Sequence, residues 1–169
     1  MKKIIGIQEG GRGFILALVC SLCSLQASAQ ASQTPADPPA FVQIRPDQMV
    51  WKTGENGVRT TFLFGDPSQP GLYVQRNIFP PGVMSTPHDH DHDRWVTVIR
   101  GVWNSGTSAD WRLQTTKAMP AGSVMFHPAH AVHFDGSASE EVEVQIMGFG
   151  PVKTTYVNPA LGHYGRPAP

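Results

Sequence analysis

The chain has 169 residues, of which 13 are Lys or Arg and 13 are Asp or Glu. Charged residues make up only 15%, which excludes a strongly basic nucleic-acid binder and a highly charged disordered chain. The length favours one domain, and 40% apolar residues suffice for one core.

The first element in chain order is an export signal. Lys2, Lys3 and Arg12 form a positive n-region, diluted by Glu9, and the run from Phe14 to Leu25 is apolar. Ala27-Ser28-Ala29 then fits the small-x-small rule for cleavage after Ala29. The run is about twelve residues where a membrane span needs about twenty, so cleavage is expected rather than an anchor. Both cysteines, Cys20 and Cys23, fall inside residues 1–29. The mature chain would therefore hold no disulfide, no thiolate nucleophile and no Cys-based zinc site, as suits a periplasmic or extracellular protein. Its scattered Lys and Arg residues leave no patch for a phosphate backbone.

Residues 30–47 are expected to form an arm or linker (QASQTPADPPA) followed by a first strand. From Phe41 onward, apolar and β-branched runs alternate with turn residues. The runs are Phe41–Ile44, Gln48–Trp51, Val58–Phe64, Leu72–Phe79, Trp95–Ile99, Ser123–Phe126 and Glu141–Met147. The last alternates with period two, as a strand with one buried face does. Between Ala109 and Ala118 at most one helical turn is expected. Many short strands with regular turn signals predict an all-β, antiparallel sandwich or barrel. The segment from Gly162 has no apolar periodicity and is expected to be a loose tail.

The histidines carry the chemistry. His88, His90 and His92 alternate with Asp in PHDHDHD, and His127, His130 and His133 lie together in HPAHAVH. On a strand, residues i and i+2 share a face, so His88 and His90 can offer two imidazoles to one cation, and a third from a distant strand would close a site. The alternative is a solvated or loosely chelating His-Asp tract.

The spacing around both clusters resembles the cupin family. Its first motif, G-x5-H-x-H-x3-E-x6-G, aligns with Gly82, His88, His90, Arg94 and Gly101. Its second, G-x5-P-x-G-x2-H-x3-N, aligns with Gly122, Pro128, His130, His133 and Ser137. GDPSQPGLYVQR, WVTVIRG and PVKTTYVNPA further resemble small single-domain bacterial cupins. The resemblance implies an antiparallel jelly-roll barrel over residues 48–159, with a flexible tail at 160–169. It also implies one divalent transition metal (iron, manganese, zinc, nickel or copper) held by His88, His90 and His133.

Arg94 stands where the family places an acidic ligand, and a guanidinium cannot ligate a metal. Three substitutes are open: Asp93 or Asp91 swings in, His92 becomes a fourth nitrogen, or water fills the place while Arg94 binds an anionic substrate. Against the last stands a plain surface pairing of Arg94 with a neighbouring Asp. Trp95, Trp103, Phe126 and Phe134 are expected to fill the barrel, while Tyr73, Arg76 and Gln145 are weaker candidates for orienting a ligand. His127 is read as a strand-end residue and His130 as shaping the mouth. The functional expectation is a metal-dependent enzyme, oxygenase-like or using Lewis-acid chemistry, acting on a small and anionic organic molecule with Arg94 as its catalytic residue. The alternative is a non-catalytic binding module. The expected partner is a small molecule, with no nucleic acid and no membrane after cleavage, and a homodimer is left open.

Overall fold

The computed structural model describes residues 41–168; the expected signal sequence and residues 30–40 of the arm lie outside them. The described residues fold as thirteen antiparallel strands. The first five are β1 (Lys52–Thr53), β2 (Arg59–Phe64), β3 (Gly71–Phe79), β4 (Met84–Ser85) and β5 (His88–His90). Next come β6 (Arg94–Arg100), β7 (Val102–Gly106), β8 (Lys117–Pro120) and β9 (Val124–His127). The last are β10 (Phe134–Ser137), β11 (Val142–Gly150), β12 (Thr154–Tyr156) and β13 (Tyr164–Gly165). One sheet has the order β1-β2-β3-β11-β6-β9, a second the order β13-β4-β10-β7-β8, and β12 pairs with β5 alone.

Strand alternation builds the core. Val142, Val144 and Ile146 of β11 and Val96 and Val98 of β6 are all at most 5% exposed and point inward. Each such burial contributes about 1.5–3 kcal/mol. Trp103 and Phe79 meet edge to face at 4.8 Å between the sheets. Gly101 makes the turn from β6 to β7 at φ +78°, and a Cβ there would meet the Glu141 carbonyl oxygen at 2.6 Å. Only glycine fits that position.

Two expectations change, one at each end of the described residues. Phe41–Ile44 and Gln48–Trp51 are not strands; Phe41 is 98% exposed, and Pro46 opens a 3-10 turn, Pro46–Gln48. Pairing begins only at Lys52, opposite Thr60 of β2. The C-terminal segment is not loose: β13 pairs with β4, and Tyr164 packs edge to face on Phe79 at 5.7 Å. Asn56 Nδ2 also donates to the Tyr164 carbonyl. Periodicity missed this segment because one tyrosine and backbone bonds pin it. In Ala109–Ala118 the helical turn is confined to a 3-10 turn, Leu113–Thr115.

Candidate metal centre

His88 and His90 sit at alternate positions of β5, on one face, and are 6% and 4% exposed. His133 reaches them from a distant part of the chain. The His88 amide donates to the His133 carbonyl at 2.9 Å, and the His133 amide donates back to the His88 carbonyl at 2.9 Å. The ring centres of His133 lie 4.4 Å from His88 and 5.3 Å from His90.

Each ring has one nitrogen engaged. His88 Nδ1 lies 2.7 Å from the Thr86 carbonyl, His133 Nδ1 lies 2.9 Å from the Ala131 carbonyl, and His90 Nδ1 lies 3.0 Å from Thr154 Oγ1. A carbonyl can only accept, so His88 and His133 donate from Nδ1–H and keep the Nε2 lone pair free. His90 Nε2 and His133 Nε2 are buried with no partner. Buried polar atoms are seldom left so, and a cation would complete them. Ligating atoms of the three residues all lie within 4.8 Å of one another. Burial, followed by repulsion from His133, pushes the His88 ring down to about 4. Burial and then Arg94 push His90 down as well. Both rings are thus neutral at pH 7, the form that ligates a metal.

His92 and Asp93 are not brought into this cluster. The His92 side chain is 43% exposed, and its Nδ1 lies 3.0 Å from Asp91 Oδ1. Asp93 Oδ1 accepts from the Ala129 amide at 2.8 Å, and Asp91 Oδ1 accepts from the Lys153 amide at 2.8 Å. Asp91 and Asp93 therefore tie down neighbouring loops by accepting from their backbone amides.

Two other residues join the cluster. His127, cross-strand partner of Arg94, is 7% exposed, packs against His133 with tilted rings 4.2 Å apart and has both ring nitrogens unpartnered. Burial pushes its ring down to about 4. Asp135 is 6% exposed, and its Oδ2 lies 3.7 Å from His127 Nε2. Ser85 Oγ donates to Asp135 Oδ1 at 3.2 Å. Burial pushes the Asp135 carboxyl up, but His133, His127, His88 and Arg94 outweigh it and hold the group below the usual range. The site thus has a buried carboxylate, carried by position 135 rather than 94. Ligating atoms of His127, His133 and Asp135 also lie within 4.8 Å of one another. His133 has one free nitrogen, so the two groups are alternative surroundings for one ion. Asp135 was legible as the i+2 neighbour of His133; His127 was not, since its place follows from cross-strand register.

His88, His90, His127 and Asp135 face a cavity of about 310 Å³ that Arg94, Tyr73, Gln75, Thr154 and Tyr156 help to line. Val96 and Val98 share the inward parity of Arg94 and are each 1% exposed. Arg94 Nε is buried without a partner, and the guanidinium lies against the Tyr73 hydroxyl. Burial raises the Tyr73 and Tyr156 hydroxyls, the latter to about 12, so both remain protonated donors. Arg76 and Gln145 face away from the cavity, where Arg76 pairs with Glu143 at 3.0 Å and donates to Gln145 at 3.2 Å. Trp103 and Phe134 are buried as expected, but Trp95 and Phe126 are 41% and 51% exposed on the outer sheet face.

His130 stands at a motif glycine and adopts φ +62°. Its amide donates to the His90 carbonyl at 2.7 Å, which fixes the turn beside the ligand strand. A non-glycine residue in this region costs about 1–2 kcal/mol, and glycine gives back about 0.5–1 through unfolded-chain entropy. His130→Gly should therefore be neutral or stabilise by up to about 1.5 kcal/mol, and His130→Val should destabilise. Urea denaturation of the two variants checks this order.

No family model and no curated protein sequence matches the chain. Solved structures do. The polyketide cyclase RemF from Streptomyces resistomycificus superposes with a TM-score of 0.58 at 12% identity, over 70% of this chain and 88% of its own. A cupin-2 domain, Rru_A2000 from Rhodospirillum rubrum, gives 0.56 at 16% identity, over 73% and 84%. KdgF from Halomonas sp. gives 0.53 at 17% identity, over 67% and 96%. The two antiparallel sheets, the two motif turns and these superpositions together establish that the chain has the cupin fold.

Proposed function

We propose that this chain is a metal-dependent enzyme that acts, after export, on a small anionic organic molecule. The observation that carries the reading is the set of buried imidazoles whose Nδ1 atoms are engaged and whose free nitrogens converge beside a cavity containing Arg94. Held by neutral imidazoles, a divalent ion would supply Lewis acidity at a substrate oxygen. The protein's own groups do the rest. Arg94 has an unpartnered buried Nε and can take a carboxylate or enolate oxygen. The Tyr73 and Tyr156 hydroxyls donate hydrogen bonds to the same small volume. Ser85 holds the Asp135 carboxylate in place at the cavity wall. This arrangement suits an acid or enolisable carbonyl as substrate, with the ion acting either as a Lewis acid or as an oxygenase centre.

The test is Arg94→Ala, with malonate as the probe anion. Metal content should be unchanged, and malonate affinity should fall by about 1.5–3 kcal/mol, roughly ten- to 150-fold. Loss of metal in that variant would make Arg94 structural. An oxygen electrode separates the remaining readings: uptake with a diketone or catechol would indicate oxygenase chemistry, and binding without turnover across such acids would indicate a non-catalytic module.

A further inference from the structure

Position 94 holds a guanidinium where the motif places an acidic ligand, so a dication beside it would find no counter-charge there. A buried charge is costly unless it is paired. The structure supplies a carboxylate from another strand. Asp135 of β10 lies two residues beyond His133, is 6% exposed and lines the same cavity. Its side chain is held at one oxygen. Ser85 Oγ donates to Asp135 Oδ1 at 3.2 Å and accepts from the Asp135 amide at 2.9 Å. Asp135 Oδ2 is instead 3.7 Å from His127 Nε2, which is buried with no hydrogen-bond partner. That separation is too long for a hydrogen bond. It is close to the spacing of two ligands of one ion, since donors about 2.0–2.2 Å from a tetrahedral centre stand about 3.3–3.6 Å apart.

We propose that Asp135 is a ligand of the ion held at His133, and that its Oδ2 supplies the carboxylate that position 94 lacks. This rests on the metal-dependent reading above. Ligating atoms of Asp135, His133 and His127 already lie within 4.8 Å of one another. Among the described residues His127 is the only ion-pair contact of Asp135, so no Lys or Arg competes for Oδ2. A carboxylate offers about four acceptor sites, and one hydroxyl leaves most of them open. The arrangement separates two tasks on two strands: β10 neutralises the ion, and β6 presents Arg94 to the anionic substrate.

The experiment is zinc binding by the purified protein, read by competition with a chelator of known strength and by anomalous diffraction from zinc-loaded crystals. In the wild type, Asp135 Oδ2 should stand about 2.0–2.2 Å from the zinc, and a separation beyond about 3 Å would overturn the inference without any variant. Asp135→Asn keeps the oxygen that Ser85 reaches and exchanges the other for an uncharged amide. It should weaken zinc binding by at least about 70-fold while retaining a cooperative melt. Adding Arg94→Glu to that variant should recover most of the loss, because a carboxylate returns to the ion from β6; a disturbed fold would not be mended in this way. Asp135→Asn should also weaken binding at least about tenfold in a His127→Ala background, which a residue acting only through His127 would not do. Zinc binding that is intact in Asp135→Asn but lost in His133→Ala would overturn this inference and leave the metal-dependent reading standing. A wild type that holds no zinc would overturn both. No rescue by Arg94→Glu, or no further loss in the His127→Ala background, would make Asp135 a structural or positioning residue and overturn the inference equally.

Discussion

His133→Ala should remove most of the bound metal, although position 133 lies more than forty residues from the HDH segment in sequence. The wild-type protein is expected to hold about one equivalent per chain. Structural zinc sites with four protein ligands are worth about 10–16 kcal/mol, so on that scale one ligand's loss should cost about 2.5–4 kcal/mol, a factor of roughly 70 to 900. His92→Ala should retain its metal, because that ring lies beside Asp91 outside the cluster. Metal analysis after dialysis, with competition against a chelator of known strength, reads both variants. Normal binding by His133→Ala with loss in His92→Ala would mean that the 88–92 tract chelates by itself and that the cluster holds no ion.

Acid should destabilise the metal-free protein over an unusual window. The His88 and His127 rings are both pushed down to about 4 by burial, against 6.5 in the unfolded chain. Between those values the unfolded chain binds more protons than the fold, so stability falls as pH drops. It is complete above about 6.5 and lost progressively down to about 4, by about 3 kcal/mol per ring at most. His90 is pushed down too and adds to the loss both within that window and below it. The carboxylates held low by local bonds, Asp66 and Asp91, act only at lower pH. Urea denaturation of metal-free protein at pH 7, 5.5 and 4.5 should show this fall, and bound metal should delay it, since protons must first displace the ion. A flat response to pH 4.5 would mean that the imidazoles are hydrated rather than buried in a dry cluster.

Strand alternation and the glycine spacing made much of this molecule legible in advance. Val142, Val144 and Ile146 alternate with Glu143 and Gln145 in the sequence, and the fold buries the first set and exposes or half-buries the second. The HxH segment put two imidazoles on one face because strand geometry leaves no other choice. The inward parity of Arg94 with Val96 and Val98 follows from the same rule. Such features depend on local backbone geometry, which the order of residues determines by itself.

What the sequence alone could not decide were matters of competition between partners. Asp91 and Asp93 satisfy free backbone amides of Lys153 and Ala129, so proximity in sequence to the histidines did not make them ligands. His127 joined the cluster because β9 pairs with β6 in the register that sets it opposite Arg94. Trp95 and Phe126 look like core residues by type, but their strand parity turns them outward once Val96 and Met125 face in. The segment 162–168 is pinned by β4 and Phe79, which lie about eighty residues earlier. Cross-strand register and donor supply are properties of the assembled sheets, and they emerge only when distant segments compete for the same hydrogen bonds and the same buried volume.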